Sequence, residues 1–426
     1  MFSPAAQNIT TLPPEVVENA LALSHPRDVA RFAQTCRHHR RLVSNPPDNY
    51  LWRSLYLAYP FDDPRKYSHA DHTDNSAFDW STTLKRRVAA EGLASDIPNI
   101  DRHLTTVLEC IHSAPPVPIA AIRMPSKDIA WATKVLKTLS DVPLDGTDPT
   151  VAELRAYIAH TFEFGEVLSL RDQRRASRAF IYDLRNNTKE CQWGPFLEGG
   201  EEADWLTIQA AITVVTMNLR DFAPQWPTVL QPASLVQGLE ATRPYSAPLD
   251  PSRLPNDWAG VEGGWMRVVC FCDYRDLIRF NSSHHNPGFF TDDFEEASRL
   301  LRMSLHVESV EDDPEVLAML PDPTHPPIKF TGTMGGFSAF EKSDRGLRGS
   351  VRVVADGNVR WSFVSIYDNE DQWSSEGVQI GGPGSAAGVV GTWTGANHVD
   401  GDPTGPFWMF KTSDAHSNAK IQEEND

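Results

Sequence analysis

The sequence predicts an α+β protein of several domains, with short N-terminal helices, a helical middle region and a C-terminal antiparallel β-barrel. Three observations predict this class. Prolines placed at helix starts, with apolar residues at helical spacing, mark short helices before residue 60. Apolar residues at spacings of three and four continue to about residue 222 and predict further helices. After residue 257, short runs rich in β-branched and aromatic residues alternate with turn residues, which is typical of strands in a closed sheet.

The composition is that of an ordinary globular chain, and its charge excludes several classes of function. The chain has 426 residues, 40% of them hydrophobic and 23% charged. That length predicts about two or three domains. The formal net charge of -18 would repel a phosphate backbone and an anionic membrane surface. We therefore expect neither nucleic acid nor a membrane among the partners.

The cysteines and the apolar runs predict a cellular compartment. Five cysteines without any C-x-x-C motif are typical of a reducing environment. Residues 1–11 lack the basic start and apolar stretch of a signal peptide. The longest apolar run, Ala210 to Leu219, is far shorter than the ~20 residues that a membrane span needs. We expect a soluble protein of the cytoplasm and/or the nucleus.

Residues 12–59 predict three short helices. The Pro13-Pro14 pair stands where a first helix begins, and Pro26 begins a second, with Ser24 as its predicted N-cap. A third helix is predicted from Asp48 to Tyr59. Short helices of this kind form a small core and are marginal alone. We therefore expect them to dock on the rest of the chain or on a partner.

The order of residues in this segment resembles the F-box motif. The pattern is Leu-Pro-x-Glu, a helix, Pro-x-Asp-Val, a Cys-Arg pair and then Leu-Trp-x-x-Leu. One departure is Ala20-Leu21-Ala22, where the family carries larger aliphatic residues, which we expect to weaken packing without breaking the pattern. The agreeing positions are Leu12, Pro13, Glu15, Val17, Leu21, Leu23, Pro26, Asp28, Val29, Phe32, Cys36, Arg37, Leu42, Trp52 and Leu55.

This resemblance implies a Skp-family adaptor as partner and, through it, a cullin–RING ubiquitin ligase. The alternative is an unrelated helical cap on the rest of the chain. In the F-box family an exposed apolar edge near the Leu-Pro turn packs on helices of the adaptor. The contact candidates carried over from the family are Leu12, Pro13, Pro14, Val16, Val17, Leu21 and Val29.

A polar connection, a helical region and a linker are predicted before the strands. Residues 60–75 are rich in turn residues, and their cluster of His69, Asp71, His72 and Asp74 is expected to be solvated rather than to bind a metal. Apolar spacing predicts helices over 76–222, and the prolines of 223–255 predict a linker.

One helix of this middle region carries a basic stripe. Its arginines at 171, 174, 175 and 178 fall on one face. We expect that face to be solvated or to form intramolecular ion pairs, and an acidic partner is the alternative.

Eight candidate strands predict a barrel over 256–411, followed by a disordered tail at 412–426. The hairpin around Asp356-Gly357-Asn358 is predicted to have a three-residue loop. Its register would pair Ala355 with Val359 and Val353 with Trp361, because this pairing collects apolar residues on one face. The candidate strands are Trp265–Cys272, Leu300–Val307, Ile328–Thr333, Leu347–Ala355, Val359–Tyr367, Trp373–Ile380, Gly388–Thr394 and Phe407–Lys411.

The two ends of this region resemble a lipocalin (calycin) barrel. Gly263-Gly264-Trp265 opens the first strand, and Lys411 closes the last. In that family the tryptophan plugs the closed end of the barrel and a cation covers it. The longer runs Asp257–Trp265 and Gln372–Gln379, taken with the F-box motif, resemble fungal F-box proteins that carry a C-terminal lipocalin-like domain.

No motif in the sequence predicts catalysis. The glycine-rich segment 381–385 lacks the Gly-Lys-Ser/Thr ending of a phosphate loop and falls between strands, so we expect a tight loop. The sequence contains no Gly-x-Ser-x-Gly elbow and no His-Glu-x-x-His motif. We expect a non-catalytic protein without a cofactor or a bound metal.

The sequence therefore predicts a substrate receptor of an SCF-type (Skp/cullin/F-box) ubiquitin ligase. The F-box, residues 10–59, would bind the adaptor, and the barrel would recruit an unidentified target protein. Two alternatives stay open: a barrel that binds a small molecule, and an F-box protein that acts as a scaffold outside the ligase.

The predicted topology also places a target site. In an up-and-down barrel the loops after strands one, three, five and seven lie at the end opposite Trp265. Aromatic and cationic side chains on those loops suit an extended peptide. The target-binding candidates are Tyr274, Arg275, Phe337, Arg345 and His398.

Overall fold

A computed structural model describes residue 9 and residues 12–46, 48–66, 78–117, 124–139, 146–159, 167–222, 238–248, 254–283, 285–336 and 345–412. It confirms the predicted α+β architecture, with helices followed by a closed antiparallel barrel. The chain divides into two compact units. The first comprises Met1–Pro115 and Met124–Pro143, and the second Pro116–Arg123 and Leu144–Asp426.

Five of the seven helices in the described part of the first unit begin at a proline or directly after a side chain that caps them. Pro14 and Pro26 begin the first two helices, as predicted. The N-cap of the second helix is His25, which accepts from the Arg27 amide, and not the predicted Ser24. The helices are α1 (Pro14–Ala22), α2 (Pro26–Thr35), α3 (Arg37–Ser44), α4 (Tyr50–Ala58), α5 (Trp80–Ala90), α6 (Ile100–His112) and α7 (Lys127–Leu136).

The second unit contains the remaining helices as well as the barrel. They are α8 (Pro149–Ile158), α9 (Val167–Ile181), α10 (Trp205–Phe222), α11 (Tyr274–Asn281) and α12 (Pro314–Leu317). Helix α10 packs against α8 and α9 and also against the strands at the chain's C-terminal end. The predicted middle region is therefore shared between the two units. None of the helices in the described ranges combines the length and the hydrophobicity that a membrane span requires.

Two features of this unit bear on the predicted linker and on the basic stripe. Residues 238–248, inside the predicted linker, contact the loop after residue 380, where the Tyr245 amide donates to the Pro383 carbonyl at 2.8 Å.

The expected intramolecular ion pairs of the basic stripe on α9 are present: Arg174 pairs with Asp221, and Arg175 with Asp292.

All eight predicted strands are present, and each pairs with its neighbours in sequence while the last returns to the first. Alternate side chains point inward, and the tryptophan, phenylalanine and methionine side chains among them form one apolar core. The strands are β1 (Gly263–Phe271), β2 (Ala297–Val310), β3 (Ile328–Gly336), β4 (Arg345–Val353), β5 (Val359–Tyr367), β6 (Glu370–Gln379), β7 (Val389–Gly395) and β8 (Thr404–Lys411).

The β4–β5 hairpin has a three-residue loop, as predicted, but the loop is 355–357 and not 356–358. Val353 pairs with Val359 and Val351 with Trp361, so the predicted register is wrong by two residues. Gly357 explains the shift, because it occupies the third loop position with a φ of 85°, where a Cβ would be strained. A shift of two residues leaves every side chain on its predicted face.

Candidate functional site

The first candidate site is an exposed apolar surface on α1, which we call the α1 surface. It consists of Leu12, the Pro13-Pro14 pair, Val16 and Leu23, all of them exposed. The side chain of Leu23 is 91% exposed although it is a leucine. Helix α1 turns its other face toward α4, so this short helix has a buried side and an apolar side that no described residue of the first unit covers.

The structure separates the seven adaptor-contact candidates into two groups. Leu12, Pro13, Pro14 and Val16 belong to the α1 surface, whereas Val17, Leu21 and Val29 lie in the small core of the first unit. Sequence reasoning counted Leu23 as part of the motif but not as a contact candidate. The signal was there, because Leu23 lies seven residues after Val16 and so on the same face of the helix.

A buried polar cluster holds the N-terminal helices to α5, α6 and α7. Arg87 donates to the Tyr56 hydroxyl at 2.9 Å, to Asp128 Oδ1 at 2.8 Å and to Ser113 Oγ at 3.1 Å. Burial raises the pKa of the Asp128 carboxyl to about 6, although Arg87 acts to lower it. These bonds connect α4 to α5, α6 and α7 within the first compact unit.

The second candidate site is inside the barrel, and its position follows from how one end is closed. Trp265 is buried there, contacts Trp361 at 5.1 Å between ring centroids and donates its indole N–H to the Val261 carbonyl at 2.8 Å. Lys411 Nζ donates to the Gly260 and Glu262 carbonyls at 2.9 and 2.6 Å. The predicted tryptophan is therefore buried at this end, and Lys411 bonds the backbone that leads into β1.

Toward the other end the barrel contains a cavity of about 430 Å³, which we call the barrel cavity. This volume is in the range of about 300–1,000 Å³ that is usual for small-ligand sites. Its walls are mostly apolar and aromatic, and several residues at its rim are half-buried or exposed. The lining residues are Arg267, Val269, Phe271, Cys272, Asp273, Tyr274, Arg299, Leu301, Met334, Arg345, Ser365, Tyr367, Trp373, Trp393, Pro403 and Thr404.

Arg267 points into the barrel from β1 and crosses the base of this cavity. Its Nη2 donates to Ser375 Oγ at 2.7 Å, and its Nη1 contacts the thioether of Met334 at 3.9 Å. The guanidinium lies over the rings of Phe363 and Phe407, at 4.9 and 4.7 Å from their centroids. Burial lowers the pKa of Arg267 to about 9, so the side chain still carries its charge at neutral pH.

Two further cations stand at the rim of the cavity. Arg299 lies over the Phe271 ring, and Arg345 lies over the Tyr367 ring at 4.4 Å from its centroid. The carboxylate that lines the cavity, Asp273, caps α11 and bonds the side chain of Arg275. The lining is therefore cationic although the whole chain is acidic.

The structure brings two of the five target-binding candidates to the barrel cavity. Tyr274 and Arg345 line it, and the Tyr274 hydroxyl donates to the Gly401 carbonyl at 3.3 Å. Arg275 points to solvent, and His398 stacks on Trp193 with ring centroids 3.7 Å apart. Phe337 lies outside the described residues.

Sequence reasoning missed Arg267, although the pattern of β1 contains the signal. Inward positions alternate through Trp265, Arg267, Val269 and Phe271, so one charged residue interrupts an apolar series. No group of histidine, cysteine, aspartate and glutamate side chains within the described ranges is arranged to hold a metal ion. The His69 cluster lies outside those ranges.

Fold and sites together define a multidomain protein with an N-terminal group of short helices and a closed C-terminal barrel. Residues 9–58 match the model of the F-box-like family, so the N-terminal domain is F-box-like. The match covers α1 to α4 and includes the whole α1 surface. Comparisons of the chain with curated proteins and with solved structures give no match.

Proposed function

We propose that this protein is a substrate-receptor subunit of an SCF-type ubiquitin ligase. The F-box-like domain would bind a Skp-family adaptor, and the barrel unit would present a target protein to the ligase. The observation that carries the proposal is the α1 surface within the family match, since leucine and valine side chains are exposed there on a helix whose other face is buried. Exposed leucine and valine side chains on one face of a helix are typical of a protein-binding site.

The mechanism needs no catalytic residue in this chain. Binding the adaptor at one unit and a target at the other converts ubiquitin transfer from a bimolecular encounter into a reaction within one complex. The gain is an effective concentration of the target near the ligase. This chain's residues would bind and orient both proteins, and the adaptor's cullin–RING partners would supply the transfer.

The rim of the barrel cavity is the proposed contact for the target. Tyr274 contributes an exposed aromatic ring to this rim, and Arg345 contributes a cation. Both residues line the same cavity as the apolar walls. Such anchors are frequent in the energetic centres of protein interfaces. Arg275 and His398 remain candidates at the outer part of the same end.

The test is co-expression of the full chain with a Skp-family adaptor and a tag on the adaptor. An interface of the usual ~1,600 Å² requires the α1 surface to be covered. The double variant Leu12→Ala/Pro13→Ala should therefore abolish co-purification. The matched control is Ile97→Ala, because Ile97 is also an exposed apolar residue of the first unit but lies outside the family match.

A second arm of this experiment tests the receptor role. The purified complex is combined with a cullin–RING ligase and cell extract, and ubiquitinated proteins are identified. Proteins whose ubiquitination is lost in both Leu12→Ala/Pro13→Ala and Tyr274→Ala/Arg345→Ala fit the proposal. An adaptor that still co-purifies with the first double variant would overturn the F-box role. Unchanged ubiquitination with Tyr274→Ala/Arg345→Ala would show that the target does not bind at the cavity rim.

A further inference from the structure

The connection between β2 and β3 is long and lies at the closed end of the barrel. It comprises residues 311–327, because β2 ends at Val310 and β3 begins at Ile328. These two residues pair with each other, and the same end of β2 is beside the start of β1, so the connection is at the end where Trp265 is buried. Hairpin connections usually have about two to five residues, and much longer ones are commonly functional.

Hydrogen bonds give this connection a fixed conformation. The Glu311 amide donates to the Pro327 carbonyl at 2.9 Å and joins the two strand ends. Asp313 caps the short helix α12 by accepting from the Glu315 amide at 2.9 Å, and Pro314 is the first residue of that helix. The helical turn is therefore formed before any partner binds, which reduces the entropy that binding would cost.

Two apolar side chains of this preformed turn are exposed to solvent. Val316 and Met319 are 37% and 79% exposed. They are three residues apart, and the Met319 amide donates to the Val316 carbonyl at 3.0 Å, so both side chains lie on one face of the turn. Methionine favours burial and adapts its shape to irregular binding surfaces. The pair therefore has the chemistry of a small protein-docking surface.

The charged residues around this pair are all acidic. Between Arg302 and Lys329 the sequence has no lysine or arginine. Negative charge at this density repels a nucleic acid, an anionic membrane and a second copy of this acidic chain. The occupant that fits is a protein surface with positive charge around an apolar groove. The acidic residues of the segment are Glu308, Glu311, Asp312, Asp313, Glu315 and Asp322.

We propose that residues 311–325, which we call the acidic turn, dock on a partner protein whose surface has an apolar groove flanked by lysine or arginine side chains. Val316 and Met319 would enter the groove, and the exposed carboxylates of Asp312 and Glu315 would face its basic flanks. A contact of this size suits a weak, transient complex. The partner would bind at the closed end of the barrel and leave the cavity rim accessible. The inference goes beyond the proposed function and does not depend on adaptor binding at the α1 surface.

The test uses the full chain and, as a probe, a fluorescently labelled helical peptide of leucine and lysine in which the leucines form one face. Fluorescence anisotropy compares it with a peptide in which glutamate replaces every lysine. The lysine peptide should bind at least about 10-fold more tightly, and its affinity should fall as salt is raised from about 0.05 to about 0.3 M. Hydrogen exchange locates the contact, and protection on addition of the lysine peptide should include residues 311–325.

Two variants separate the apolar contribution from the electrostatic one. Val316→Ser/Met319→Ser removes the apolar face and should weaken binding of the lysine peptide about 10- to 100-fold. Asp312→Asn/Glu315→Gln removes two carboxylates that do not cap α12. It should weaken binding about 3- to 10-fold and reduce the salt dependence.

The matched control is Leu197→Ser. Leu197 is 48% exposed on the same compact unit and is followed by the exposed Glu198, but it lies outside the acidic turn. This variant should bind the lysine peptide as the wild type does. All of these substitutions change exposed side chains, so the melting temperatures should match that of the wild type, and circular dichroism checks this.

The proposal would be overturned by a wild-type chain that does not bind the lysine peptide, by equal affinity for the two peptides, or by undiminished binding to a folded Val316→Ser/Met319→Ser protein. Protection that excludes residues 311–325 would overturn it as well. Analytical ultracentrifugation of the full chain tests the rival occupant. A dimer that this double variant converts to a monomer would assign the surface to a second copy. Adaptor binding that survives Leu12→Ala/Pro13→Ala would count against the proposed function and leave the acidic turn unaffected.

Discussion

A buried ion pair between helix α9 and the start of β2 allows a prediction whose size follows from the structure. Nε and Nη2 of Arg178 bond Glu296 Oε2 at 2.8 and 2.7 Å, and the hydroxyl of Tyr182 donates to Oε1 at 2.6 Å. The two charged side chains are 2% and 1% exposed. The pair therefore joins the helical part of the second unit to its barrel without access to solvent.

Arg178→Met should be strongly destabilising, because it leaves the Glu296 carboxylate buried with only a tyrosine hydroxyl as partner. Removing one member of such a pair typically costs about 3–5 kcal/mol. The double variant Arg178→Met/Glu296→Leu removes both charges. It should recover most of that loss and retain a deficit of about 1 kcal/mol from the Tyr182 hydroxyl, which then lacks its acceptor.

Hydrogen exchange followed by mass spectrometry on the full chain measures the opening free energy of α9 peptides directly. The matched control is Arg175→Met, on the same helix, whose ion pair with Asp292 is partly exposed to solvent, with side chains 36% and 46% exposed. That variant should cost less than about 1 kcal/mol. If Arg178→Met proves as mild as Arg175→Met, or if the double variant is as unstable as the single one, the reasoning about this buried pair is refuted.

Trp265→Ala should lower the free energy of unfolding of the barrel unit by about 3–5 kcal/mol, because the ring is buried against Trp361 at the closed end. Thermal unfolding followed by near-UV circular dichroism measures this, and a loss below about 1 kcal/mol would contradict the plug. In the first unit, Arg87→Met should also cost about 3–5 kcal/mol, since it leaves Asp128 buried without its cation. The neighbouring Arg86→Met breaks only the partly exposed pair with Glu109 and should cost below about 1 kcal/mol. Equal losses of unfolding free energy for the two variants in urea would contradict the prediction that the buried pair is the more stabilising one.

The local pattern of the chain was enough to predict most elements. Alternation of apolar residues predicted all eight strands, and the prolines predicted where α1 and α2 begin. The order of the strands followed from the up-and-down topology predicted for the barrel, in which each strand pairs with its neighbours in sequence. These signals are local, since backbone preference and side-chain period act over a few residues.

The exact residue pairing across a turn was harder to predict from the sequence. The apolar face of the β4–β5 hairpin was predicted correctly, but its register was wrong by two residues. A shift of two preserves the face, so the hydrophobic pattern cannot distinguish the two registers. The backbone conformation of Gly357 decides between them.

The sequence by itself determined the strands, the short helices, the F-box-like pattern and the closed end of the barrel at Trp265. Only the tertiary structure decided which residues of the pattern are exposed and that α10 packs on the barrel. It also decided that Arg178 pairs with Glu296, whereas Arg267 has no carboxylate partner among the described residues. The physical reason is distance along the chain. Arg178 and Glu296 are 118 residues apart, and no local period of side chains records such a partner.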